Sequence, residues 1–144
     1  RDRSVSRGLG DVYKRQIEDP TEKDMELMHI TPDKKILVLE RIRYADEKPV
    51  LLEINRFPES FSFLFGENLN DTSLYDVLQN HNIIFDHSDK TLDIVFASAQ
   101  EAKILGISKG YPLLRIESTI YNTDCSLVQR CKQLCIGDKF KFTI

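Results

Sequence analysis

Residues 35–58 constrain the fold of this chain more than any other stretch of it. An apolar run ends in Arg41 and Arg43, a short polar segment follows, and a second apolar run carries Glu53. Two such runs joined by a turn-like segment predict an antiparallel hairpin. Because side chains alternate between the faces of a strand, both arginines share the face of the leucines that precede them. One face of the hairpin therefore begins as core and ends as two guanidinium groups, which suits an anion-binding pocket.

The register of this hairpin decides where Glu53 points. A two-residue turn at Asp46 and Glu47 would place Glu53 opposite Glu40, on the face away from the arginines, where two like charges oppose each other. A longer turn or a β-bulge would shift the register by one residue and bring Glu53 to the arginine face. The segment lacks glycine, which disfavours a tight primed turn. The sequence alone leaves both registers open.

Composition places the chain among soluble globular proteins, with 144 residues, of which 41% are hydrophobic and 30% charged. Its net charge of −3 argues against a general nucleic-acid binder. No apolar run approaches the roughly 18 residues of a membrane span, and nothing in these residues resembles a signal peptide, so we expect a cytoplasmic protein without a membrane partner. We expect the three cysteines to be free thiols, and we expect neither a metal site nor a cofactor.

The pattern along the rest of the chain predicts one domain over residues 11–144, preceded by a tail or linker remnant at residues 1–10. Short strands are predicted over residues 12–17, 83–96, 113–122, 127–136 and 139–144, and short helices over residues 19–28, 73–80 and 98–105. Asp19 and Ser98 are the predicted N-caps of the first and last helices. Strand-rich stretches separated by helices predict an α+β domain with a central, mainly antiparallel sheet flanked by short helices. Because the chain begins with Arg rather than Met, we expect it to be part of a longer protein.

Four segments occur in an order that is typical of one family. They are LERIRYADEKPVLLEINRFP, TSLYDVL, ASAQEAKILGISKGYPLLRIEST and VQRCKQLCIGDKFKF. In this order they resemble the UTRA effector-binding domain of GntR-type transcriptional regulators, in the HutC-like subfamily. The resemblance covers roughly residues 12–144. It implies a fold similar to chorismate lyase, and it implies that the family's N-terminal winged-helix DNA-binding domain is missing from this chain.

The resemblance also implies a function: binding of a small metabolite, formation of a homodimer, and control of the attached DNA-binding domain. The pocket positions of sugar-phosphate-binding members fall here on Arg41, Arg43, Glu53, Ser73, Tyr75, Gln129 and Cys135. Ser73 lies near a helix start, where unpaired N–H groups favour an anion, and Tyr75 would supply a flat wall. The expected effector therefore carries a phosphate or a carboxylate. Gln129 and Cys135 stand where the family commonly has Glu and Tyr, so the identity of the effector stays open.

Two other functions fit the same residues. A chorismate lyase-like enzyme is the first, but His29, His81 and His87 lack the spacing of a catalytic triad or of metal ligands. A module that only dimerises is the second. It predicts that Arg41→Ala and Arg43→Ala leave ligand binding unaffected, whereas a sensor of an anionic metabolite would lose it.

Overall fold

The computed structural model describes residues 11–66 and 74–137, which form one six-stranded sheet with the order β1-β2-β3-β6-β5-β4. The strands are β1 (Asp11–Glu18), β2 (Ile36–Ala45), β3 (Lys48–Pro58), β4 (His87–Phe96), β5 (Pro112–Tyr121) and β6 (Leu127–Ile136). The helices are α1 (Glu22–Met28), α2 (Leu74–Asn80) and α3 (Ala99–Leu105), and a kinked 3-10 segment covers Glu59–Gly66. Every strand pair is antiparallel, which confirms the predicted α+β class with short flanking helices.

The N-termini of α1 and α3 follow local capping chemistry. Ser98 caps α3 as predicted, with Glu101 completing the capping box. The predicted cap at Asp19 is wrong, because α1 begins after Thr21. The Thr21 hydroxyl accepts the N–H of Asp24 at 3.1 Å, and the Asp24 carboxylate accepts the N–H of Thr21 at 2.9 Å. None of the helices in the described parts of the chain has the length and hydrophobicity that crossing a membrane requires.

The strand predicted to start at residue 83 begins instead at His87. The backbone N–H of Ile83 donates to the carbonyl of Leu78 at 3.0 Å, so this residue still belongs to the C-terminal turn of α2. Asn82, with a φ of 62°, turns the chain there. Three further predictions, for residues 1–10, for Ser73 and for the strand at residues 139–144, lie outside the described residues.

The turn between β2 and β3 is tight despite its lack of glycine. Ala45 faces Lys48 across Asp46 and Glu47, whose φ angles are 52° and 67°. Positive φ at both central residues is the conformation that matches the right-handed twist of the two strands. The expectation that the missing glycine disfavours such a turn is therefore wrong.

A β-bulge next to this turn sets the register of the hairpin. Tyr44 pairs with Pro49 but Arg43 pairs with Leu51, so Val50 is the extra residue on β3. The shift by one residue places Glu53 directly opposite Arg41, on the same face of the sheet. Of the two registers that the sequence allows, the bulged one is present.

The sheet has two faces with different partners. The front face, defined by the side chains of Arg41 and Arg43, packs against the 3-10 segment and α2. That core comprises Leu37, Leu39, Phe57, Phe61, Leu64, Val77, Leu78 and Val128. The back face packs against α3 through Ile42, Leu52, Ala97, Ala102, Leu105, Leu113, Leu134 and Ile136. In the described portion of the chain, the 3-10 segment and α2 cover only one part of the front face, and the cavity described below lies beside them.

Helix α1 is fixed to the back face by one buried carboxylate. Asp24, which is fully buried, accepts hydrogen bonds from Arg56 Nε at 3.1 Å and from Arg56 Nη2 at 2.7 Å. It also accepts a hydrogen bond from Arg130, the register partner of Arg56 on the next strand. Glu18 provides a second carboxylate for Arg56 at 3.4 Å. The Asp24 carboxylate thus connects α1 with β3 and β6 in one ion-pair cluster.

Candidate functional site

A cavity of about 420 Å³ opens on the front face. Its lining includes five residues that sequence analysis assigned to a pocket, namely Arg41, Arg43, Glu53, Tyr75 and Gln129. They come from β2, β3, β6 and α2, and the antiparallel pairing brings them together. The volume lies within the roughly 300–1,000 Å³ that small-molecule sites usually have.

Two of the seven pocket residues predicted from the sequence are not among the described residues that line this cavity. Ser73 lies outside the described residues. Cys135 lies on the front face, but the structure does not bring it to the cavity wall. It packs instead with Val50 and Leu51, and burial raises the pKa of its thiol to about 11. The cavity therefore ends before this position of β6.

Glu53 is the centre of a buried polar network on the cavity floor. One of its oxygens lies 3.4 Å from Arg41 Nη1 and accepts a hydrogen bond from Asn55 Nδ2 at 3.0 Å. The other accepts from Gln133 Nε2 at 3.5 Å. Asn55 in turn accepts a hydrogen bond from Gln129. Five residues from three strands are thereby held in one hydrogen-bonded arrangement, which is a pre-organised surface for ligand hydroxyl or amide groups.

The two arginines have different environments. Arg41 is only 2% exposed, and burial lowers the pKa of its guanidinium while the charge of Glu53 raises it. Arg43 is half-buried, and its Nε is a buried donor without a hydrogen-bond partner in the described parts of the chain. Leaving a buried donor unsatisfied costs free energy, which an anionic ligand would offset. Arg41 has the carboxylate of Glu53 beside it, whereas Arg43 has no carboxylate within 4 Å in the described parts of the chain, so Arg43 is the arginine of the cavity that an anionic ligand would stabilise most directly.

Several lining residues were not identified from the sequence. Asn55, Cys131 and Gln133 follow from strand alternation, because each lies two residues from a position already assigned to the pocket. Ser88 and Lys90 of β4 had no such signal. Their face depends on how the edge strand pairs with β5, and a mixed pattern of charged and apolar residues does not reveal that pairing.

Aromatic rings form the rim of the cavity on the α2 side. Tyr75, half-exposed, meets Phe85 edge-on with ring centroids 5.2 Å apart. His87 stacks on Tyr121 at 5.0 Å, and its Nδ1 lies 2.9 Å from the Asp86 carboxylate. This contact holds the imidazole in place at the rim. Within the described residues, no three His, Cys, Asp or Glu side chains are grouped so that they would hold a metal ion.

Comparison with known proteins shows the family to which this chain belongs. Residues 10–141 match the UTRA domain family, which accounts for most of the chain. This chain belongs to the UTRA domain family. The UTRA domain is 28% identical over 128 residues to the HTH-type transcriptional repressor NagR of Bacillus subtilis, covering 88% of this chain and 53% of the repressor. The chain spans about half the length of the curated relatives that it matches.

Two solved structures share the fold of this UTRA domain over nearly its whole length. The C-terminal domain of Yurk from Bacillus subtilis superimposes with a TM-score of 0.86 at 25% identity, covering 94% of both chains. A GntR-family transcriptional regulator from Enterococcus faecalis superimposes with a TM-score of 0.84 at 27% identity, covering 94% of this chain and 98% of that one. The UTRA domain described here is therefore related to transcriptional regulators in both sequence and fold.

Proposed function

We propose that this UTRA domain binds a small anionic metabolite in the front-face cavity and so controls DNA binding by the remainder of a transcription regulator. The observation that carries the proposal is Arg43, a half-buried cation in the cavity with an unpartnered buried Nε in the described part of the chain. NagR, a relative of about twice this length, is named a transcriptional repressor. We assign DNA binding to a separate domain of the protein, and we place its action in the cytoplasm.

The chemistry of the cavity favours binding over catalysis. Arg43 and the neighbouring Arg41 present guanidinium groups, which match the oxygens of a phosphate or a carboxylate. Asn55, Gln129 and Gln133 add neutral donors and acceptors that suit the hydroxyl groups of a sugar. The proposed effector is accordingly a sugar phosphate or a small polar acid.

Regulation requires that the effector bind two states of the protein with different affinities. Such coupling is typically about 1–3 kcal/mol, which changes operator affinity by roughly 5–150-fold. We propose that the effector lowers the affinity of the full-length protein for its operator. An operator affinity that does not change across a broad panel of metabolites, measured by electrophoretic mobility shift, would contradict the sensing function.

Arg43→Gln is expected to abolish the thermal stabilisation of the domain by an anionic effector. A ligand present at 100 times its dissociation constant adds about 2.7 kcal/mol to the stability of the folded state. A thermal-shift screen with sugar phosphates and small carboxylates detects a change of this size in the wild type. The variant loses the guanidinium that we assign to the anion, so the same compounds should shift its melting temperature little or not at all.

The matched control for this experiment is Arg115→Gln. Arg115 is an arginine on the back face, where Asp93 and Glu117 are its partners. Its loss changes the net charge of the domain by the same amount but leaves the cavity intact. If Arg43→Gln and Arg115→Gln reduce the stabilisation equally, the anion is not bound by Arg43.

We also propose that the domain forms a homodimer through the front face of β4. Leu92, Ile94 and Phe96 alternate on this edge strand and are 57%, 61% and 69% exposed. Ile116 and Leu114 of β5 are the register partners of Leu92 and Ile94, and they extend the same apolar surface. A contiguous exposed apolar patch of this kind is typical of an interaction surface. The same strand of a second copy presents an identical apolar surface, so the two surfaces can pack against each other about a two-fold axis.

Ile94→Asp is expected to weaken the dimer by at least about 100-fold, because a carboxylate would be buried without a partner in the apolar interface. Analytical ultracentrifugation over a concentration series measures this constant. Thr91→Asp is the control, since it adds the same charge on the opposite face of the same strand. A wild-type domain that stays monomeric, or a dimer that tolerates Ile94→Asp, would exclude this interface.

A further inference from the structure

The charges that line the cavity are not all balanced within the protein. Arg41 has the carboxylate of Glu53 at 3.4 Å, and Asp86 lies against His87. Arg43 and Lys90 also line the cavity, and neither has a carboxylate within 4 Å in the described parts of the chain. The cavity therefore contains two cations without an ion-pair partner among those residues.

These two cations lie on opposite walls. Arg43 is on β2 and Lys90 is on β4, with β3, β6 and β5 between them in the sheet. Four strand spacings separate β2 from β4 by roughly 19 Å across the sheet, and the register sets Arg43 level with Ile94, which is four residues along β4 from Lys90. Two extended side chains together span less than this distance. One phosphate group is too small to contact both walls. A ligand that engages both cations needs two anionic groups joined by a spacer.

The floor between the two walls is the place where such a spacer would lie. Cys131 of β6 is at this point of the floor. Burial is the main cause of the raised pKa of its thiol, and the charge of Glu53 adds to it, while the charges of Lys90, Arg41 and Arg43 act in the opposite direction. Lys90 and Cys131 are both register partners of Ser118 on β5, and all three cations line the same cavity as Cys131. The neutral groups of Gln129 and Gln133, two residues to either side, are available to polar atoms of the spacer.

We propose that Lys90 is a specificity-determining residue and that the effector carries two anionic groups, one bound at Arg43 and the other at Lys90. The inference rests on the proposed function, since it concerns the same cavity. It narrows the class of effector from any small anion to a polar compound with an anionic group at each end, such as a bisphosphate or a phosphorylated acid.

Fructose 6-phosphate and fructose 1,6-bisphosphate are suitable probes, because they share a sugar and differ by one phosphate. Isothermal titration calorimetry on the wild-type domain is expected to give at least about tenfold tighter binding of the bisphosphate than of the monophosphate. A ligand with two equivalent ends would gain only a statistical factor of about two in affinity. Lys90→Gln should reduce this preference to about the statistical factor while leaving the affinity for the monophosphate unchanged. Arg43→Gln should weaken the binding of both probes.

Lys132→Gln is the matched control. Lys132 is a half-buried lysine of β6 on the back face, so its replacement makes the same charge change behind the sheet. It should leave the preference for the bisphosphate unchanged. The inference is overturned if the wild type binds the two probes equally well. It is also overturned if the preference for the bisphosphate survives in Lys90→Gln, or if Lys132→Gln loses that preference to the same extent. Each of these results leaves the proposed function in place. If neither these probes nor any other phosphate or carboxylate binds, the proposed function fails together with the inference.

Discussion

Replacing Asp24 with alanine is expected to lower the free energy of unfolding by about 4 kcal/mol, the cost of breaking a buried ion pair on one side. The carboxylate is fully buried and accepts hydrogen bonds from Arg56 and Arg130. Its removal leaves both guanidinium groups near the protein interior without this partner. It also removes half of the capping box of α1. Urea unfolding followed by circular dichroism measures the loss, with the slope against urea concentration expected to stay the same.

Glu22→Ala is the control for this prediction. Glu22 is an exposed acid in the first turn of the same helix. A solvent-exposed substitution of this kind usually changes stability by less than about 0.5 kcal/mol. If Asp24→Ala and Glu22→Ala lower the free energy of unfolding by the same amount, the cluster with Arg56 and Arg130 does not fix α1 to the sheet.

The same carboxylate makes stability depend on pH. Burial raises the pKa of Asp24, but the hydrogen bond from Arg56, the backbone N–H of Thr21, the charge of Arg56 and the hydrogen bond from Arg130 together lower it from 3.8 to about 2. The folded pKa lies below the unfolded one, so this contribution is fully present above about pH 4 and is lost as the pH falls toward 2. The lowered pKa of Asp24 contributes about 2 kcal/mol to the free energy of unfolding. Asp24→Asn should therefore show a flatter decline of stability between these two pH values than the wild type.

Glu53→Gln is expected to destabilise the ligand-free domain by about 3 kcal/mol, because the buried guanidinium of Arg41 loses the carboxylate that lies 3.4 Å from it. The substitution also makes the cavity more positive by one charge. Inorganic phosphate should therefore stabilise Glu53→Gln more than it stabilises the wild type. Urea unfolding of both proteins, with and without phosphate, measures the two effects together.

Glu117→Gln serves as the matched substitution. Glu117 is a partly exposed glutamate of β5 whose ion-pair partner, Arg115, lies 3.6 Å away on the back face. Exposed pairs of this kind contribute only about 0–1 kcal/mol, and phosphate should not distinguish this variant from the wild type. An unchanged stability of Glu53→Gln, or an equal response of Glu53→Gln and wild type to phosphate, would contradict the role assigned to the Arg41–Glu53 pair.

The fold was predictable where local chemistry and periodicity agree. The capping box at Ser98 and the alternation in β2 and β6 each point to a single structure. The start of α1 was not predictable in this way, because Asp19 before proline and Thr21 before Asp24 are both good local caps. Contacts of Asp24 with Arg56 on a distant strand distinguish them, and sequence patterns do not contain those contacts.

The site was predictable only in part for a related reason. Alternation along β2 places Arg41 and Arg43 on one face whatever surrounds them. It does not say how far along the face a cavity extends, and for this reason Cys135 shares the face but not the cavity. The position of Glu53 depends on the bulge at Val50, and that of Lys90 depends on the pairing of an edge strand. Both depend on contacts between strands rather than on local sequence.

Because of the bulge at Val50, the length of the hairpin decides which side chains of β3 face the cavity. Deleting one residue there would slide the rest of β3 by one position and exchange its two faces. Glu53 and Asn55 would turn to the back of the sheet, while Ile54 and Arg56 would turn to the front. No substitution produces that exchange. Related hairpins that differ here by a single insertion or deletion should therefore recognise different ligands even where every cavity residue has been kept.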